Sequence, residues 1–119
     1  MKTGTGTLIL SGSEANSYTG DTIINGGTLQ LSKTAGINAV PGNIIVNNGG
    51  RLTMGGNHQI PDAAGITVNA GGTINAWNRD ETFAFYTQNG GGAPSAGNTG
   101  HVTLTGALTL AGGNTLTIN

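Results

Sequence analysis

Ile24-Asn25-Gly26-Gly27-Thr28-Leu29 returns along this chain as Val46-Asn47-Asn48-Gly49-Gly50-Arg51-Leu52, and again as Val68-Asn69-Ala70-Gly71-Gly72-Thr73-Ile74. The apolar anchors Ile24, Val46 and Val68 stand 22 residues apart, and so do Asn25, Asn47 and Asn69. A fixed period of this length marks stacked supersecondary units, none of which can bury its apolar face alone. Such a chain is expected to work through an extended repeated surface rather than one cleft. Each asparagine follows its anchor by one position. Asn25, Asn47 and Asn69 are therefore expected to form a ladder along one corner, their amides bonded between coils or to corner backbone.

Alternation supplies the local structure. Leu8 and Leu10, Leu29 and Leu31, Ile44 and Val46, Leu52 and Met54, Ile66 and Val68, Val102 and Leu104, Leu108 and Leu110, and Leu116 and Ile118 are all i, i+2 pairs. Period 2 in short segments means strand, and abundant Thr and Gly argue against helix. The glycine pairs 26/27, 49/50, 71/72 and 112/113 fall between strands, where a corner needs positive φ. Antiparallel hairpins would alternate in the same way, but they give no reason for the same residue types to return at one fixed interval. Winding each repeat one strand spacing, about 4.8 Å, above the last explains the interval. The expected fold is all-β, a parallel β-solenoid of about five coils of roughly 22 residues, with residues 1–119 as a single segment.

Composition bounds the function classes. Only 8% of the 119 residues are charged and the net charge is -1, so no basic footprint for nucleic acid or an anionic membrane exists. The absence of Cys excludes disulfides, thiolate metal sites and thiol catalysis. It also fits a protein that must stay unbridged until exported. Met1-Lys2-Thr3-Gly4 has no apolar run behind it, and no stretch approaches the roughly 18 apolar residues of a membrane span.

Residues 4 to 31 also carry a combination of motifs: Gly4-Thr5-Gly6-Thr7-Leu8-Ile9-Leu10-Ser11-Gly12, then Asn16-Ser17-Tyr18-Thr19-Gly20, then Thr22-Ile23-Ile24-Asn25-Gly26-Gly27-Thr28-Leu29-Gln30-Leu31. This resembles the autotransporter-associated β-strand repeat of Gram-negative type V passenger domains. The resemblance implies a right-handed parallel β-helix stalk, a secreted or cell-surface location outside the outer membrane, and a part in folding the passenger as it is exported. It brings no catalytic residues. Residues 32 to 76 keep only the period and the glycine pairs.

Beyond Ile74 the pattern weakens. The 77–100 segment reads as a degenerate coil with a lateral loop: Thr82 to Gln88 is expected to be a strand with Phe83 and Phe85 inside, and Gly90 to Gly100 a loop. Trp77, Phe83, Phe85 and Tyr86 cluster there, with Arg79, Asp80 and Glu81 beside them. Aromatic faces with polar neighbours suit glycan rings, and Trp77, Arg79, Asp80 and Tyr86 are the candidate ligand contacts; such aromatics more often fill a core or cover an edge. Asp80 and Glu81 are adjacent and point to opposite faces of a strand, which does not make an acid and base pair. His58 and His101 lack ligand spacing, the Gly-x-Gly runs open no helix, and the Thr-x-Thr pairs that could order ice are missing from the central coils.

The reading reached is a non-enzymatic structural segment without cofactor, metal or catalytic residues. Its expected partners are neighbouring coils of a parent protein, or other copies end to end. The rival is an adhesin module whose 77–100 insert contacts a glycan or host protein.

Overall fold

A computed structural model describes residues 1–75, 79–90 and 101–111. Eleven strands follow one another: β1 (Thr7–Gly12), β2 (Thr22–Ile24), β3 (Gly27–Lys33), β4 (Ile44–Val46), β5 (Gly50–Met54), β6 (Gly65–Val68), β7 (Thr73–Asn75), β8 (Glu81–Phe83), β9 (Phe85–Gln88), β10 (Val102–Leu104) and β11 (Leu108–Leu110). Every pairing is parallel and joins strands of successive turns. The result is an all-β solenoid of about four turns. One wall has the order β2-β4-β6-β9-β11, the second β1-β3-β5-β7, and a third holds β8-β10.

The register stacks like on like. Inside the first wall, Thr22, Ile44, Ile66, Tyr86 and Leu108 form one column, and Ile24, Val46, Val68, Gln88 and Leu110 the next. The second wall contributes Leu8, Leu29, Leu52 and Ile74, then Leu10, Leu31 and Met54. Burial follows the alternation: β4 and β5 bury Ile44, Val46, Leu52 and Met54 while Ile45, Arg51 and Thr53 remain outside. Only the end turns break the rule. Leu8 is 45% exposed and Leu108 47%, because no described turn lies beyond them.

Where a first-wall strand turns into the second wall, at β2 to β3, β4 to β5 and β6 to β7, the shared asparagine is followed by a tight glycine corner. Gly71 has φ of +79, and a Cβ there would strike the Asn48 side chain of the turn before. At Gly72 a Cβ would come 2.6 Å from the Val46 carbonyl oxygen, so the close approach of turns excludes any side chain. The third side of the early turns is irregular, with Pro41 and Pro61 in it, yet the turns still bond to one another. Ala39 donates its N–H to the Gln59 carbonyl (2.7 Å) and Ala84 to the Ala64 carbonyl (2.7 Å).

The segment after Ile74 differs from the sequence-based expectation. One continuous strand over 82–88 does not form: β8 ends at Phe83, Ala84 makes the corner, and β9 begins the first wall again. Ile66 pairs with Tyr86, 20 residues on, so this turn is two residues shorter than its neighbours. The shortening puts Phe83 and Tyr86 in the core, both fully buried, and leaves Phe85 outside and half-buried. Phe85 lies opposite Gly65, and a Cβ at Gly65 would collide with its ring. Gly65→Val is therefore expected to force the ring away and destabilise the fold by about 1–3 kcal/mol, as overpacking does. A urea midpoint lowered in Gly65→Val, with the loss largely relieved when Phe85→Ala is added, is the measurable outcome.

Candidate functional site

Three polar constructions hold the turns together. The first is the asparagine corner. Asn47 Nδ2 donates to Asn25 Oδ1 (2.7 Å), Asn69 Nδ2 to Asn47 Oδ1 (2.7 Å), and Asn89 Nδ2 to Asn69 Oδ1 (2.9 Å). The row runs one way: each amide donates toward the N-terminal turn and accepts from the C-terminal one. Asn25 donates to the Met1 thioether (3.2 Å). Asn89 was not among the ladder residues expected from sequence, because it follows Asn69 by 20 residues rather than 22.

The second construction is buried and was not anticipated. Gln59 is fully buried, and its side-chain amide behaves as a peptide group would: Oε1 accepts from the Lys33 N–H (2.7 Å) and Nε2 donates to the Lys33 carbonyl (3.2 Å). It thereby completes the edge of β3 where the next turn has bent away. On the other side, Glu81 Oε2 accepts from the Gln59 N–H (2.7 Å), and Oε1 from the Thr82 N–H (3.2 Å). Lys33, itself largely buried, sends Nζ to the Ser11 carbonyl (3.0 Å).

Burial raises the Glu81 pKa, and the backbone N–H groups around the carboxylate offset only part of the shift. A carboxyl pushed up in the folded state favours the protonated fold. Its contribution is complete below the unfolded value near 4.5 and is lost as pH rises through the folded value. The melting temperature is thus expected to carry a downward slope with pH above about 4.5 that Glu81→Gln flattens. A pH series of thermal melts checks this. An unchanged slope in Glu81→Gln would assign it to another group.

The third construction lies at the surface. Asp80 Oδ1 accepts from the His101 N–H (2.9 Å) and lies 3.3 Å from His101 Nδ1. Asp80 also takes its own N–H to Asn57 Oδ1 (3.1 Å) and accepts from the His58 N–H through its carbonyl (2.8 Å). The backbone hydrogen bond from His101 is the main reason the Asp80 carboxyl sits below its ordinary value. Asp80 accordingly ties three turns together.

The candidate ligand contacts do not assemble. Trp77, Asn78 and residues 91–100 of the insert lie outside the described residues. Arg79 is exposed and Asp80 is committed to the His101 contact. Tyr86 is a correction: it is fully buried in the column between Ile66 and Leu108, with its hydroxyl donating to Gln88 Oε1 (3.2 Å), and no ligand can reach it. The short turn caused the difference, since a 22-residue spacing would have placed another residue beneath Ile66. Asp80 and Glu81 point apart, one to the surface and one into the core. Among the described residues no group of three His, Asp or Glu converges as a metal site would require. A hollow of about 310 Å³ is lined by Met1, Lys2, Leu8, Leu10, Tyr18, Thr22 and Leu29. It is the open N-terminal end of the solenoid interior, partly covered by Tyr18, whose hydroxyl meets Thr22 Oγ1 at 2.6 Å.

The family model of the passenger-associated-transport-repeat matches residues 2–31. The adhesin BmaC autotransporter of Brucella suis biovar 1 (strain 1330) is 39% identical over 74 residues, which cover 62% of this chain. The aligned region spans 2% of that relative's length. No solved structure matches the chain. The matched residues include Tyr18, which partly covers the open end of the interior, and the Asn25-Gly26-Gly27 corner. Residues 2–31 match the passenger-associated-transport-repeat of autotransporters, and they form the first of the stacked parallel coils that the described chain continues.

Proposed function

We propose that this chain is a non-enzymatic structural segment of an exported, surface-located autotransporter. It extends a stalk coil by coil and helps the passenger fold as it emerges. The observation that carries the reading is the unbroken parallel first wall, in which each strand from β2 to β11 pairs only with the turn before and the turn after. A turn added at the end finds a complete template of backbone groups, an apolar column and an asparagine amide ready to accept. Nearest-neighbour stabilisation of this kind lets folding proceed from one end without waiting for distant contacts. The partners on this reading are adjoining coils of a longer protein, or other copies at the exposed ends.

The test places the chain between a signal peptide and an autotransporter translocation barrel in a Gram-negative host. Surface display is read by external protease. The native chain is expected to reach the surface, and a variant with a charge in the core, Val46→Asp, to accumulate inside. Equal display of the two would end the proposal that coil stacking assists export. A second reading, a module that contacts a glycan or a host protein through the 77–100 insert, is favoured by the word adhesin in the relative's name. Binding on a glycan array lost in Arg79→Ala would move the assignment there.

A further inference from the structure

We propose that Asn25 is a site of self-modification: the asparagine corner assembles the groups that turn its amide into a carboxylate, with loss of ammonia. Three Asn-Gly bonds occur in the chain, Asn25-Gly26, Asn48-Gly49 and Asn89-Gly90, and all lie at this corner. Such a bond is open to attack because glycine has no side chain to shield its nitrogen. The deprotonated Gly26 nitrogen adds to Asn25 Cγ, ammonia leaves, and a five-membered imide forms. Water then opens the imide at either carbonyl, giving an aspartate or an isoaspartate at position 25.

The three sites differ in what surrounds the reacting atoms. Addition to Cγ places negative charge on Oδ1, and at Asn25 that oxygen already accepts the Asn47 amide N–H at 2.7 Å. A donor held at the oxygen where charge develops lowers the barrier. The attacking nitrogen is also available: among the described residues the Gly26 N–H has no hydrogen-bond acceptor. The Lys2 ammonium donates to the Gly26 carbonyl at 3.1 Å, and a cation beside that residue favours the amide anion. Asn25 is exposed, so water reaches the imide.

The other corners lack these features. At Asn48 the neighbouring Gly49 N–H is taken by the Gly71 carbonyl (3.1 Å), and among the described residues no donor meets Asn48 Oδ1. At Asn89 the next turn offers Ala111, which has no side-chain amide and whose backbone N–H is taken by the Gln88 carbonyl (2.9 Å). The inner rungs Asn47 and Asn69 have donors but are followed by Asn48 and Ala70. Position 25 is also where the product is best tolerated. Its side-chain amide donates, among the described residues, only to the Met1 thioether, and a carboxylate there still accepts from Asn47, now with charge assistance. The isoaspartate product instead inserts a methylene into the backbone between β2 and β3, which disturbs the pairing of the first two turns.

The experiment is peptide mapping by mass spectrometry after incubation at neutral pH, with and without denaturing urea. Fragmentation distinguishes aspartate from isoaspartate. Asn25 is expected to convert several-fold faster in the folded chain than in urea, and faster than Asn48 and Asn89. Asn47→Ala removes the donor on Oδ1 and is expected to slow Asn25 about tenfold, a modest figure for one oxyanion donor because this one faces solvent. Asn69→Ala breaks the next rung only and should leave the Asn25 rate unchanged. Should the fold protect Asn25 relative to urea, or should Asn47→Ala accelerate it, the corner merely restrains the amide and the proposal is wrong. Asn47→Ala is read only where circular dichroism shows its strands kept, since unfolding alone would lower the Asn25 rate to its value in urea; a slowing to below the urea rate in the folded variant is the result expected.

Discussion

Val46→Asp is expected to remove most of the stability of this chain. Val46 is fully buried between Ile24 and Val68, and the other described members of that column, Gln88 and Leu110, carry no charge. An ionised carboxylate there costs on the order of 4 kcal/mol or more, a large part of the roughly 5–15 kcal/mol that holds an ordinary domain folded. Val46→Ala at the same place leaves only a small cavity and should cost about half as much or less. The difference between the two separates charge burial from lost packing. Strand signal in circular dichroism should be lost for Val46→Asp at neutral pH and partly recovered in acid, where the carboxyl is neutral. A Val46→Asp chain that melts within a degree or two of the native one would remove Val46 from the core.

Tyr86→Ala should be the next most damaging change, at about 3–5 kcal/mol, since a large ring is deleted from a filled interior. The ring is the largest fully buried side chain among the described residues and lies in the column between Ile66 and Leu108, so no neighbour can easily close the space. Burial also pushes the Tyr86 hydroxyl up to about 12. Arg79→Ala, on the exposed corner nearby, should change stability by less than about 0.5 kcal/mol. Denaturant titration of the two variants side by side reads this contrast. Similar small losses in both would return Tyr86 to the surface, where the composition of the insert first placed it.

The parts of the fold legible in sequence are the ones written by local rules. Leu29 and Leu31, Ile44 and Val46, and Ile66 and Val68 alternate because one face is buried, and the Asn-Gly-Gly corner repeats because turns approach too closely for side chains there. Tyr86 was not legible in the same way. Its place depends on a turn shortened by two residues, and the one mark of the shortening is the Asn89 corner, which arrives 20 residues after Asn69 and lies beyond Tyr86 in the chain. Gln59 was hidden for a different reason. Glutamine is ordinarily a surface residue, and its burial depends on the backbone of Lys33, 26 residues earlier, presenting an unpaired N–H and carbonyl. Glu81 follows from Gln59 and was hidden with it. The signal for Asn89 is present in the sequence all the same: a fourth asparagine ahead of a glycine pair, offset by two residues from the period.

The central claim is that successive turns lie one strand spacing apart in a single parallel column, and spin labels measure that directly. The outward positions Ile23, Ile45, Thr67, Thr87 and Thr109 occupy one column of the first wall. Pairs of labels from position 23 to 67, to 87 and to 109 should give distances that grow steadily, by about 4.8 Å for each added turn. Distances that fail to grow in chain order, or that place position 109 nearer to 23 than position 67 is, would contradict the solenoid and with it every register stated above.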